Sequence, residues 1–285
     1  MMINNQYHCF ISGLPDISFD SRRAWIDIPD FKRMLKENLQ PHDYRQAEMV
    51  FLEDDNRTLA RFMAGDEIEN GGAGNYTIDD YREQLEIFSA ILPPDDILPD
   101  YMVEVIREVH EAEDERKADI LQTEHRLAEG YYSYIMANGS PFLKAFTQLN
   151  YNIKNLVAFI KAGEHGMEQE RFITGSAGHA AHLRNYAGRN LSKDPEFEFF
   201  DEIISYSSTA SFAEEERKYD RLRWQQAEDM TFFEDFSIDR ILGYLQKMRI
   251  LARWSPLDKN SGEEKLRDIV NSAWQEPAAP EGSAY

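Results

Sequence analysis

SPFLKAFTQLNYNIKNLVAFIKAG, residues 140–163, carries the strongest helical signature in the chain. Its apolar residues Phe142, Phe146, Leu149, Ile153, Leu156, Val157 and Ile160 recur every three or four positions. That spacing lines one face of an α-helix, whereas a half-buried strand would alternate apolar and polar at every step. Ser140 offers a hydroxyl to the unpaired amides of a first turn, and Pro141 stands where a missing N–H costs nothing.

Upstream, the same period recurs. Tyr7–Leu14 is a short apolar opening, extended or a first helical turn, and Pro15-Asp16 marks a turn. Pro29-Asp30 starts a helix through Phe31, Met34, Leu35 and Leu39 that stops near Pro41. Residues 42–64 read as one helix, with a bend admitted at Asp54-Asp55-Asn56. The glycines between Gly65 and Asn75 predict a flexible loop. Thr77, with Asp80 three residues on, forms an imperfect capping box for a helix through Tyr81, Leu85, Phe88, Ile91 and Leu92, ended by Pro93-Pro94. Residues 100–137 then read as one long helix whose apolar positions thin out in the middle, closed by Asn138-Gly139 in a left-handed cap.

Downstream, glycines break residues 164–192 into short pieces, and Pro195 leads an aromatic helix from Phe197 to Ile204. Ser211 and Ser237 are placed to cap two further helices, and Ser261 with Glu264 forms a capping box before Leu266, Ile269, Val270 and Trp274. The sum is an all-α domain over residues 1–275, with room for two helical lobes dividing near 138–165, and a disordered tail over 276–285.

Charge and composition remove several classes of function. The 285 residues include 31 Lys+Arg against 52 Asp+Glu, a formal charge of −21, so a phosphate backbone is repelled and nucleic-acid binding is not expected. With 42% apolar residues the chain can fill a sizeable core, which argues against global disorder. The longest stretch free of Asp, Glu, Lys and Arg, Gly130–Leu143, is too short and polar to cross a bilayer. The N-terminus lacks the basic start and continuous apolar run of a signal peptide, which predicts a cytoplasmic protein. The twelve acidic and four basic residues between Asp95 and Glu129 read first as a solvated helix face and second as an acidic docking surface. Cys9, the one cysteine, has no internal disulfide partner and reads as a buried, inert thiol.

Candidate chemistry fails on spacing. A di-iron carboxylate centre needs Glu three residues before His on two helices, and none of the seven histidines has one. His179 and His182 are one turn apart but lack the Glu of a HExxH site and an adjacent third ligand, so they read as a surface or helix-packing pair. The glycine loop at Gly71-Gly72-Ala73-Gly74 lacks the Gly-Lys-Ser/Thr ending of a phosphate loop. No catalytic residue, metal, cofactor or small-molecule substrate is therefore expected. The residues singled out for binding a partner are Arg221, Arg223, Trp224, Arg253 and Trp254, because Arg and Trp anchor interfaces and form basic patches on an acidic chain. Local packing, with Arg253 paired to an acid and Trp254 buried between helices, is the competing reading.

The passage Phe232–Val270 resembles an uncharacterised bacterial family encoded alongside V/A-type rotary ATPases. The resemblance lies in an aromatic-acidic helix, then a capped helix ending in Tyr244, Leu245 and Lys247, then a segment with Arg253, Trp254, Leu257 and Asp258, with Gly262 leading a last helix. The opening Tyr7–Asp16 is similar to the same family's N-terminus. That family in turn looks like a remote, shortened relative of the rotary ATPase C subunit (d in eukaryotes), a helical funnel seated on the membrane ring that receives the central stalk. The C subunit is longer and built from three similar lobes, a repeat this chain does not show. The resemblance implies a non-catalytic adaptor between stalk and ion-carrying ring, peripheral at the inner face of the cell membrane, with ring and stalk subunits as partners. A free-standing helical scaffold or regulatory module is the alternative.

Overall fold

The computed structural model describes residues 7–255 except 22–23, 69–72, 91–94, 112–119, 188, 190, 196 and 208–210. Among these residues every regular element is a helix: α1 (His8–Gly13), α2 (Ile28–Asn38), α3 (Pro41–Met63), α4 (Ile78–Ser89), α5 (Asp100–Glu111), α6 (Ile120–Asn138), α7 (Pro141–Glu164), α8 (Gly178–Tyr186), α9 (Phe200–Ser207), α10 (Phe212–Met230) and α11 (Ile238–Trp254), with a 3₁₀ turn at Gln169–Phe172. The protein is all-α. The capped helix expected from Ser261 and the tail over 276–285 lie outside the described residues, as do Ile91, Leu92, Gly71 and Gly72.

Local signals account for most helix starts. The Thr77 hydroxyl and the Asp80 carboxylate cap each other's backbone in a complete capping box. Ser140 accepts from the Leu143 amide at 3.3 Å with Pro141 in the first turn. Asp27 accepts from the Asp30 amide ahead of Pro29. Ser211 and Ser237 do precede helices, but neither side chain makes the capping bond. The expected aromatic helix begins at Phe200 rather than Phe197, because two backbone turns, Phe197 to Asp194 and Phe200 to Phe197, come first.

Residues 100–137 do not form one helix. Arg126 Nε donates to Glu108 Oε2 at 3.1 Å, although residues eighteen apart in one straight helix would be separated by about 27 Å. α5 and α6 therefore run antiparallel and pack side by side. The thinning of the apolar stripe in this stretch was the sign of the reversal. The pair fits closely: a Cβ at Gly130 would stand 2.6 Å from the Tyr101 ring. Gly130→Ala is expected to force α5 and α6 apart at a cost of roughly 1–3 kcal/mol, read as a lowered melting temperature. Gly139 also departs from expectation: its φ is not positive. What requires glycine there is space, since a Cβ would meet the Ile135 carbonyl oxygen at 2.7 Å.

Buried apolar side chains gather in two large clusters. The first joins α2 to α6 and α11, with Phe31, Phe51, Tyr81, Met102, Leu127 and Leu245 at its centre. The second joins α8, α9 and α10 through Leu183, Phe200, Ile203, Tyr219 and Leu222. The helix read first from sequence runs through both: Phe142, Leu143 and Phe146 enter the first, and Leu149, Ile153, Leu156 and Phe159 the second. A small third cluster, Phe19 with Trp224, Ile250 and Leu251, seals α10 against α11. Cys9 is exposed, contrary to expectation. On so short a helix the face that packs inward carries Phe10, Ile11 and Leu14, which leaves Cys9 outside.

Candidate interaction site

The five partner-binding candidates lie on α10 and α11, and the structure splits them. Residues two apart on a helix point to opposite sides, so Arg221 and Arg223 do not form one patch. Arg221 faces outward over the Phe19 ring, 4.4 Å from its centroid, and pairs with Asp20 at 3.2 Å beside Arg217. Trp224 is buried, meets Phe19 edge-on with ring centroids 5.7 Å apart, and donates its indole N–H to Glu228 at 3.1 Å. These two residues bind the segment before α2 to α10.

Arg223, Arg253 and Trp254 converge instead on one buried carboxylate, Asp220. Arg223 donates to its Oδ1 at 3.0 Å, while Arg253 and the Trp254 indole N–H, the latter at 2.8 Å, reach Oδ2. Arg223 also donates to Asn150 of α7 at 3.0 Å, and Arg253 pairs with Glu216 at 3.2 Å. The ion pair and indole bond therefore fasten the end of α11 to α10, and Arg223 fastens α10 to α7.

Asp220, Arg223, Asn150 and Arg253 border an open cleft of about 370 Å³ between α3, α7, α10 and α11. Its other charged walls were not singled out from sequence. Asp54 accepts from Arg249 at 2.5 Å, and Glu53 pairs with Lys154 at 3.2 Å and with Arg249 at 3.7 Å. Burial alone would raise Glu53, but Lys154 and Arg249 outweigh it and hold the carboxyl down at about 2. Burial likewise opposes the charge on Arg249, yet Asp54 and Glu53 raise its pKa. With Arg57, five cations and three carboxylates line the cleft, a local excess of positive charge in a chain at −21. Nothing in the spacing of Glu53 or Arg249 marks them out, since the cations that hold Glu53 and the acids that hold Arg249 lie far away in the chain.

Two further features stand outside the cleft. Where the resemblance implied an aromatic-acidic helix, residues 231–237 form a turn between α10 and α11, closed by backbone bonds from Phe232 to Asp229 and from Glu234 to Thr231, and Phe232 and Phe233 point into solvent; their signal was an apolar pair outside any periodic stripe. His179 is buried, and its Nδ1 lies 2.6 Å from Asp194 Oδ2. An ionised carboxylate only accepts, so Nδ1 carries the hydrogen. Burial lowers the pKa of His179 although Asp194 opposes the shift. Its Nε2 has no partner among the described residues and sits beside the rings of Phe197 and Phe200. His182 bonds the Ser192 carbonyl at 2.9 Å instead. The two histidines thus pack α8 against the segment before α9. Among the described residues no three His, Cys, Asp or Glu side chains converge to hold a metal, and no helix is long and apolar enough to cross a membrane.

The fold and site together define an acidic all-α protein with a cation-rich cleft between α3, α7, α10 and α11. The chain belongs to DUF2764, a family described as proteins of unknown function, whose model matches residues 4–276. No curated protein and no solved structure matches it.

Proposed function

We propose that this protein is a non-catalytic subunit of a bacterial V/A-type rotary ATPase, a C/d-like adaptor that couples the central stalk to the ion-carrying ring. The observation that carries this reading is the meeting of the two segments that resemble the ATPase-associated family. Tyr7–Asp16 and the passage from Phe232 lie at opposite ends of the sequence, yet they pack as one unit. The Tyr7 amide donates to the Phe236 carbonyl at 2.8 Å, the His8 ring lies 3.9 Å from that of Phe236, and Tyr244 donates its hydroxyl to the Pro15 carbonyl at 2.8 Å. The two segments that resemble the family thus form one unit of the fold, which supports a common role for them.

An adaptor that transmits torque must resist bending. The 24-residue α7 threads both apolar clusters, and the Asp220 and Arg249 ion pairs tie α3, α10 and α11 together around it. In this reading the chain sits on the cytoplasmic face of the membrane as a shortened, curved version of the C-subunit funnel, with no cofactor and no substrate of its own. The test is purification of the tagged full chain from its native host under mild detergent. Ring or stalk subunits are expected to co-purify and to dissociate in high salt. Recovery of none of them, with other proteins in their place, overturns the reading in favour of a free-standing scaffold.

A further inference from the structure

We infer that the turn joining α10 to α11 is a docking anchor, with Phe232 and Phe233 entering an apolar pocket on a partner protein whose rim carries Lys or Arg. The name of that partner rests on the adaptor reading above, whereas the anchor itself is argued from the turn. Phe233 is 89% exposed and Phe232 is 67% exposed, with their rings edge-to-face at 4.9 Å. An aromatic side chain has roughly 150–250 Å² to bury, so leaving two adjacent ones in water is a standing cost unless a partner covers them.

The turn is held rigid, which distinguishes it from a loose loop. Thr231 is buried and donates its hydroxyl to the Ala227 carbonyl at 2.7 Å. Its methyl group packs on Gly243 of α11, where a Cβ would come within 2.8 Å. Backbone bonds run from Thr231 to Glu228, from Phe232 to Asp229 and from Glu234 to Thr231, and Arg240 holds the Thr231 carbonyl at 3.3 Å. On the far side the Phe236 carbonyl is taken by the Tyr7 amide. The phenylalanines are therefore presented on a fixed platform, and docking does not have to order the backbone first.

Charge selects the kind of partner. Glu228, Asp229, Glu234 and Asp235 flank the pair, and Glu228 is already engaged by Lys247 and the Trp224 indole. Phenylalanines flanked in the chain by four carboxylates, only one of them paired with Lys247, are disfavoured at an anionic lipid surface and favoured in a basic-rimmed pocket, which also speeds encounter. A protein partner is favoured over a bilayer on that ground.

The experiment compares the wild-type full chain with the double variant Phe232→Ser, Phe233→Ser, each tagged in the native host, and adds a photoreactive residue at position 233. Because both rings lie in solvent, the variant is expected to melt with the wild type while recovering at least about tenfold less of the ATPase subunits. The crosslink from 233 should land on a peptide with apolar and Lys or Arg residues in one such subunit. Equal recovery by both chains overturns the anchor and leaves the adaptor reading standing. Should the wild type recover no ATPase subunit, that reading falls, and the crosslink decides the anchor separately. A basic, apolar peptide of one identified protein upholds it; lipid, a second copy of this chain or no crosslink overturns it.

Discussion

Asp220→Ala is expected to lower the melting temperature by roughly 10 °C. Asp220 is 1% exposed and receives Arg223, Arg253 and the Trp254 indole. Truncation leaves the guanidinium of Arg223, itself largely buried, without its countercharge. Removing one partner of a buried ion pair costs about 3–5 kcal/mol, because the remaining charge has lost both water and its partner. For a chain of this size each kcal/mol moves the melting temperature by about 2–4 °C. Asp220→Asn, which keeps an acceptor but not the charge, should fall between the two. Thermal denaturation followed by circular dichroism checks this, and a variant melting with the wild type would show that water replaces the carboxylate.

Arg249→Ala is expected to cost about 3 kcal/mol at neutral pH, for the mirror-image reason. Here two carboxylates, Glu53 and Asp54, lose the guanidinium between them, and Glu53 keeps its pair with Lys154 and Asp54 its pair with Arg57. The pH dependence separates charge from packing. Glu53 is held at about 2 in the folded chain against an ordinary value of 4.5. A carboxyl whose folded pKa lies below its unfolded one stabilises the fold above the unfolded value and loses that contribution as pH falls through the folded one. The difference between wild type and variant should therefore be full above about pH 4.5 and shrink toward pH 2. Urea denaturation at several pH values measures it; a difference that does not change with pH would assign Arg249 to packing alone.

The helices were legible because their information is local. The 3.6-residue period of Phe142, Phe146, Leu149 and Ile153, the Thr77–Asp80 box and the Ser140-Pro141 start all lie within a turn or two of what they specify. Where a local signal had two readings, the sequence alone chose wrongly. The thin apolar stripe after Val109 fits a solvated helix as well as a reversal, and tertiary contacts such as Arg126 with Glu108 and Gly130 with Tyr101 separate them. Cys9 sits among apolar neighbours in the sequence, but a six-residue helix has a single inward face and Cys9 is not on it.

The candidate site was legible only in part. Arg221, Arg223, Trp224, Arg253 and Trp254 could be picked out as unusual residue types, but their adjacency in sequence concealed that Arg221 turns to Asp20 while Arg223 and Arg253 share Asp220. Amino-acid order therefore specified where the helices form and which of their faces are apolar, since backbone periodicity and capping act over a few residues. Only the packed fold specified which charges meet. Asp54 and Arg249 are 195 residues apart, and an acid on a helix looks the same in sequence whether it meets water or a guanidinium brought to it by another helix. That choice belongs to the apolar clusters, which set how α3, α7, α10 and α11 approach one another.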